Sequence, residues 1–306
     1  MAEAVPSGTR PGLVGFRISP IVTQGIDWSR LDATWALAGA HEVISTCWLS
    51  DHLADIGRDR GGLGFESLTT AAALAHRVPG KWVGIAVLAN TFRHPALVAK
   101  AATAIDNATG GRFIVGLGAG WHVGEHEAFG IPFPPMKERF ARYESAVATL
   151  AALFSEAGRH PPGVTREDPY YPLDRATLEP PPVRPEGPVL WLGGQGPRGI
   201  ALAARFAQGW PLPGAESGNV AYFTAKREQL LRAMEAIGRD PTGFTFAAQV
   251  RVDNTAASRK QGLASALDFR RQGADHIIIG VPAPEGPAGV EAMAREVAEP
   301  LLDAAG

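Results

Sequence analysis

Arg112–Trp121 reads RFIVGLGAGW, an apolar start followed by Gly116, Gly118 and Gly120 alternating with Val115, Leu117 and Ala119. Alternate residues of a strand share a face, so the three glycines fall on one side. Glycine weakens a strand and often marks a place where another backbone or a ligand comes close. The stretch reads as a barrel strand whose inner face is stripped to admit a flat ring, with Trp121 at its mouth. Close strand packing inside a small barrel accounts for the same glycines. A dinucleotide fingerprint does not, because the spacing is GxGxG and a proline-containing loop, residues 122–135, follows in place of a helix.

Upstream, Pro95 is placed to open a helix, Leu97, Val98, Ala101, Ala102 and Ile105 carry its period, and Gly110-Gly111 closes it. Residues 13–18, 41–49 and 82–89 read as strands, residues 28–40 and 67–76 as helices, and residues 60–64 as a Gly-rich loop. Downstream, residues 137–154 are amphipathic, with Phe140, Tyr143, Val147, Leu150 and Phe154 in one stripe. Residues 155–187 are rich in proline and charge and read as an excursion over one mouth of the fold. Strands at 189–192, 209–212, 244–252 and 276–281 then alternate with helices near 198–207, 221–237, 258–272 and 289–302. Eight strands, most separated by a helix, predict a parallel sheet with crossover helices. They fit an α/β (β/α)8 TIM barrel with insertions at the C-terminal face of the strands. A doubly wound sheet would carry its glycine signal after the first strand, whereas here the glycines come with the fourth and fifth.

The chain has 306 residues, 45% hydrophobic and 20% charged, which suits one large barrel with an ample core. Residues 12–306 read as that single domain and residues 1–11 as a flexible N-terminal segment without a signal-peptide core. A net charge of −2 supplies no global field for nucleic acid or an anionic membrane, and no apolar run approaches the roughly 20 residues of a spanning helix. The single cysteine, Cys47, rules out an internal disulfide and reads as a buried small apolar residue. A cytoplasmic protein is expected.

A barrel of this kind keeps its chemistry at the C-terminal ends of its strands. Those ends are Asp51-His52, Leu88-Ala89-Asn90, Gly118-Ala119-Gly120-Trp121, Gly193-Gly194-Gln195-Gly196 and Asp253-Asn254. Glycines, amides and an aromatic ring dominate, the profile of a cofactor cleft more than of a hydrolase. Gly193, Gly194, Gln195 and Gly196 end a strand and open a helix, where free backbone amides and the helix dipole suit a phosphate. A tight strand-to-helix turn is the plainer reading, and Arg198 is the nearest cation. His52 can donate to a ring or carbonyl oxygen or exchange a proton near neutral pH; a structural histidine bonded to a loop is the alternative. Glu125 and His126 read either as solvated loop residues or as part of the site, and Arg93-His94 as a helix start. No paired HxH and no Cys/His cluster points to a metal.

Four stretches in order resemble the bacterial luciferase-like family of flavin- and deazaflavin-dependent oxidoreductases: STCWLSDH (45–52), FRHPALVAKAATAIDNATGGRFIVGLGAGW (92–121), EHEAFGIPFPPMKERFARYESAV (125–147) and GPVLWLGGQGPRGIALAARFAQGW (187–210). The resemblance covers roughly residues 12–300. It implies the same barrel, a GLGAGW strand and EH loop of the branch using the 5-deazaflavin coenzyme F420, and a place for His52 beside the deazaflavin ring. It also implies a bulge with a non-prolyl cis peptide within about 87–90, and a homodimer. Two departures argue against glucose 6-phosphate as substrate. Trp121 stands where the sugar-phosphate dehydrogenases of the branch keep a catalytic glutamate, and Ile56 stands where they have a tryptophan. The usual Ala-Asp-Gly-Trp segment reads Ala207-Gln208-Gly209-Trp210 here.

The resemblance together with the residues gives an F420-dependent oxidoreductase moving a hydride between C5 of the deazaflavin and a small organic substrate. His52 is the catalytic candidate. His52, Leu88, Ala89, Asn90, Gly118, Gly120, Trp121, Gly193, Gly194, Gln195 and Gly196 are the candidate cofactor contacts, with residues 122–135 and 155–187 shaping the substrate pocket. The alternatives are an FMN-dependent monooxygenase fed by a separate flavin reductase, and a barrel that binds the cofactor without turnover.

Overall fold

The computed structural model describes residues 11–19, 26–54 and 64–304. The expected flexible segment up to residue 10, residues 60–63 of the Gly-rich loop, and Ile56 lie outside them. The described strands are β1 (Val14–Ser19), β2 (Thr46–Leu49), β3 (Trp82–Ala89), β4 (Phe113–Gly118), β5 (Val164–Arg166), β6 (Leu173–Ala176), β7 (Val189–Leu192), β8 (Gly209–Pro211), β9 (Thr245–Arg251) and β10 (His276–Pro282). All but β5 and β6 pair in parallel and close a barrel in the order β1-β10-β9-β8-β7-β4-β3-β2. The helices are α1 (Trp28–Ala40), α2 (Ser67–Leu74), α3 (Pro95–Ala108), α4 (Val123–Phe129), α5 (Met136–Phe154), α6 (Glu156–Arg159), α7 (Pro197–Phe206), α8 (Val220–Ala236), α9 (Ala256–Arg271), α10 (Gly286–Met293) and α11 (Glu299–Asp303). This is the (β/α)8 barrel expected from the strand count.

The alternation of β4 sorts its residues as the period-two rule requires. Phe113, Val115 and Leu117 pack outward into the core shared with the helices, while Ile114 joins an inner cluster of Trp48, Trp82, Val189, Trp191, Ala247 and Ile278. That interior is filled by rings set against glycines. A Cβ on Gly84 would lie 2.3 Å from the Trp48 ring, one on Gly209 2.4 Å from Trp191, and one on Gly15 2.5 Å from both Trp48 and His276. Trp48 and Trp191 stack with centroids 4.8 Å apart, and the Trp48 indole N–H donates to His276 Nε2 at 3.0 Å. Burial pushes the His276 pKa down to about 4 despite a hydrogen bond to the Gly12 carbonyl. Cys47 is buried, and its thiol is pushed up to about 12 by that burial.

Local signals place the elements around this core. His94 caps α3 and Pro95 opens it; Gly110 and Gly111, at φ +62° and +82°, turn the chain into β4. Two segments differ from expectation. Residues 122–135 hold the short helix α4, capped by His122, whose Nδ1 accepts from Glu125 N. Residues 155–187 form α6 and the antiparallel β5–β6 hairpin and lie on the flank. Asp168 accepts from Ser145 of α5 and from the amides of Tyr170 and Tyr171, and Tyr171 meets the His94 ring at 5.0 Å. The segment contributes nothing to the wall of the cavity described below. The insertion at the C-terminal face is therefore 122–135. No described helix is long and apolar enough to cross a membrane.

Candidate active site

A cavity of about 460 Å³ opens at the C-terminal ends of the barrel strands, within the range of roughly 300–1,000 Å³ usual for small-molecule sites. His52, Leu88, Ala89, Gly118, Gly120, Trp121, Gly193, Gly194 and Gln195 all line it. Asn90 and Gly196 do not. Asn90 is buried behind the wall, its amide nitrogen without a partner, and Gly196 is the exposed cap of α7. Asp253 also lies away from the cavity and accepts from Thr255 at the start of α9.

The glycines of β4 serve the neighbouring strand before any ligand. Ile85 pairs with Val115 and Leu88 with Leu117, so β3 carries one extra residue, a bulge. A Cβ on Gly116 would fall 2.1 Å from the Ile85 carbonyl oxygen, and one on Gly118 2.9 Å from Val87. The expected ring-sized gap is thus occupied at Gly116 by the bulge, which brings Ala86 and Val87 to the cavity wall beside Gly118. The non-prolyl cis peptide is Ala86–Val87, one residue before the expected window. Gly120 takes φ +82°, and a Cβ there would meet Thr91 Oγ1 at 2.4 Å. Only glycine combines that backbone with that contact.

His52 is held from behind. Its Nδ1 lies 2.9 Å from Glu125 Oε2. Glu125, 2% exposed, also accepts from the amides of Leu53 at 2.5 Å and Ala54 at 3.2 Å. Burial would raise the Glu125 pKa, but the His52 hydrogen bond and charge and the two amides outweigh it and leave it lowered. An ionised Glu125 accepts Nδ1–H and leaves Nε2 as the ring nitrogen for a ligand. Trp121, 65% exposed, stands edge-on to His52 at 5.9 Å. Glu125 and His126 are therefore buried members of the site, not solvated loop residues. His126 is fully engaged, with Nδ1 at the His122 carbonyl (2.8 Å) and Nε2 at Thr91 Oγ1 (2.7 Å). Asp51 is structural: it takes a bidentate pair from Arg93 at 2.8 and 2.7 Å, the Ser67 hydroxyl at 2.6 Å and the Ala89 amide at 2.8 Å. Arg93 is an ion-pair partner, and His94 alone is the helix start.

Across the cavity, the carbonyls of the 193–196 loop are satisfied from below. Tyr143 OH donates to Gly193 O at 2.8 Å, Trp210 Nε1 to Gly194 O at 3.1 Å and Lys226 Nζ to Gln195 O at 2.8 Å. The amides of Gly194, Gln195 and Gly196 make no hydrogen bond with the described residues. Unpaired amides at a helix start suit an anionic ligand group. Arg198 points elsewhere, paired with Glu144; the cation at this loop is Lys226. Two further wall residues, Arg17 and Arg251, were not among the sequence candidates. An arginine inside an apolar strand reads as an exposed edge until the barrel closes around it.

The parallel (β/α)8 barrel thus gathers a glycine-walled cavity, an oriented histidine and an open amide loop at its strand ends. The model of the luciferase-like monooxygenase family matches residues 16–305, and the chain belongs to that family. It is 32% identical over 192 residues to a phthiodiolone/phenolphthiodiolone dimycocerosates ketoreductase of Mycobacterium tuberculosis, covering 60% of this chain and 46% of the relative. It is 33% identical over 180 residues to an F420-dependent glucose-6-phosphate dehydrogenase of Nakamurella multipartita, covering 58% and 50%. The matches thus span about half the length of these relatives. The fold is similar to that of a coenzyme F420-dependent tetrahydromethanopterin reductase from Methanopyrus kandleri, with a TM-score of 0.76, 14% identity and coverage of 95% of this chain and 99% of that one.

Proposed function

We propose that the protein is an oxidoreductase that binds coenzyme F420 and passes a hydride between the deazaflavin and a small carbonyl compound or its alcohol. The observation that carries this reading is the His52–Glu125 pair on the wall of a glycine-lined cavity that also carries Gly194 and Gln195, whose amides are unpaired among the described residues. The residues fit the group. Val87, Gly118 and Trp121 line the wall on which its ring would rest, and the unpaired Gly194 and Gln195 amides suit its phosphate. The named similarity to an F420-dependent dehydrogenase supports the deazaflavin.

Bound there in reduced form, F420 would bring two-electron hydride chemistry to a substrate carbonyl. From its doubly protonated form, His52 would give the Nε2 proton to the carbonyl oxygen as the C–O π bond breaks, leaving the neutral ring held by Glu125 through Nδ1–H. Trp121 shields the mouth and denies the site the carboxylate that sugar-phosphate oxidation uses in the resembling branch. On the resemblance alone, the reading extends to a cytoplasmic homodimer. Anaerobic mixing with reduced F420 and a panel of small ketones and aldehydes tests the chemistry. Reoxidation that depends on the carbonyl compound and not on oxygen is expected. Turnover only with reduced FMN and oxygen would replace this reading with the monooxygenase.

A further inference from the structure

The cavity wall carries two arginines with no acid to meet them. Arg17 of β1 is 3% exposed and lines the cavity, and its buried Nε has no hydrogen-bond partner. Arg251, at the end of β9, lines the same wall and donates from Nη2 to the Gly214 carbonyl at 2.6 Å. Arg17 pairs in register with Gly280 of β10, and Gly280 with Arg251. The two guanidinium-bearing residues thus stand two strands apart, on the same face, with only Gly280 between them. Neighbouring strands lie about 4.8 Å apart, so the two α-carbons are on the order of 10 Å apart. Burial and the Arg251 charge together lower the Arg17 pKa to about 10.

Both carboxylates on the cavity wall are taken: Asp51 by Arg93, Glu125 by His52. Among the described residues neither Arg17 nor Arg251 has an ion-pair partner. A buried cation without a counter-charge is costly unless a ligand completes it. The loop suited to the cofactor phosphate follows β7, four strands from β1 in either direction round the barrel. His52, by contrast, follows β2, the strand next to β1. Arg251, on β9, stands between the two, two strands from β7 and three from β2, so the Arg17 end of the pair is the one that turns an anion toward His52 and away from the amide loop.

We infer that Arg17 and Arg251 form an anion subsite for the substrate, so that the compound acted on carries a carboxylate or a phosphate near its carbonyl or alcohol. Gln249, two residues before Arg251 and on the same face, presents a buried Oε1 without a partner, ready to accept from a hydroxyl of the same compound. This rests on the proposed function only for the word substrate; the anion site stands on the arginines alone.

Thermal unfolding and calorimetric titration of the full chain in low-salt buffer test it. The probes are sodium 2-oxobutyrate, sodium phosphate and, as the neutral control, 2-butanone, with an F420 titration run alongside. The wild type should be stabilised saturably by one of the two anions and not by butanone; which anion works assigns the group. Arg17→Met and Arg251→Gln should each weaken that anion at least tenfold, and Arg17→Lys should recover part of it. Arg17→Met should melt at or above the wild type in anion-free buffer, because it removes an uncompensated buried charge. Equal anion affinity in wild type and variants would overturn the inference, as would the absence of a saturable effect for either anion. So would a tenfold loss of F420 affinity in Arg17→Met with anion binding intact, which would give the arginine to the cofactor. Normal F420 binding with no anion binding would sink the subsite and leave the proposed function standing.

Discussion

Removing the Glu125 carboxylate would leave His52 Nδ1–H and the Leu53 and Ala54 amides without their acceptor. Glu125→Ala should therefore cut turnover about 10–100-fold, the usual effect of losing the partner that orients a functional group. His52→Gln removes the proton itself and should cost about 10²–10⁴-fold, while the F420 dissociation constant moves less than tenfold. Steady-state rates beside a fluorescence titration separate the two; equal losses of rate and affinity would reduce His52 to a binding contact. His276 makes a second residue-scale prediction. Its folded pKa, about 4, lies below the unfolded 6.5. The unfolded chain thus takes up a proton first as pH falls, and stability present above pH 6.5 is lost on the way to pH 4. The difference between the two corresponds to roughly 3 kcal/mol. Urea unfolding at pH 7 and pH 4.5 should show a steeper loss for the wild type than for His276→Gln. His52 was legible in the sequence because it ends an apolar run. Glu125 was not assigned a role, because its partner lies 73 positions away and a polar residue on a seven-residue helix carries no sign of burial. Arg17 was missed for the related reason that only closure of the barrel shows which face of β1 is inside.

At the scale of elements, β3 and β4 form one device. The glycines on β4 exist in register with the bulge on β3, so Gly116→Ala should damage β3 more than its own strand. Its Cβ would sit 2.1 Å from the Ile85 carbonyl oxygen, a backbone atom that cannot rotate away. Overpacking of this kind costs about 1–3 kcal/mol, and a thermal melt with a cofactor titration should show stability and affinity falling together. A stable Gly116→Ala variant with normal affinity would contradict the pairing. The sequence showed the glycine alternation and the strand boundaries well, because period and caps are local. It did not show what the glycines face, because that depends on one extra residue in another strand. The β5–β6 hairpin was hidden by the shortness of its strands and held by Asp168. Burial would raise that carboxyl, but Ser145, the Tyr171 and Tyr170 amides and Arg166 reverse the effect and bring it to about 2. Its stabilisation is complete above pH 4 and fades as pH falls toward 2. Asp168→Asn should cost roughly 2 kcal/mol at pH 7 and flatten the acid limb of a stability–pH curve.

For the whole molecule, the barrel divides its mouth into three sectors. β7 and α7 present open amides, β2 and α4 present the His52–Glu125 pair, and β1 and β9 present the two arginines. The eight-strand alternation was readable from the sequence because each βα unit is a local repeat. The division of the mouth was not, since each sector joins residues from strands far apart in the chain. The ligand proposed for this mouth is a deazaflavin. Titrating the apo-protein with F420 and, in parallel, with FMN, followed by fluorescence, tests it most directly. Saturable one-to-one binding of F420 at least tenfold tighter than FMN is expected; tight FMN binding with no measurable affinity for F420 would rule the deazaflavin out.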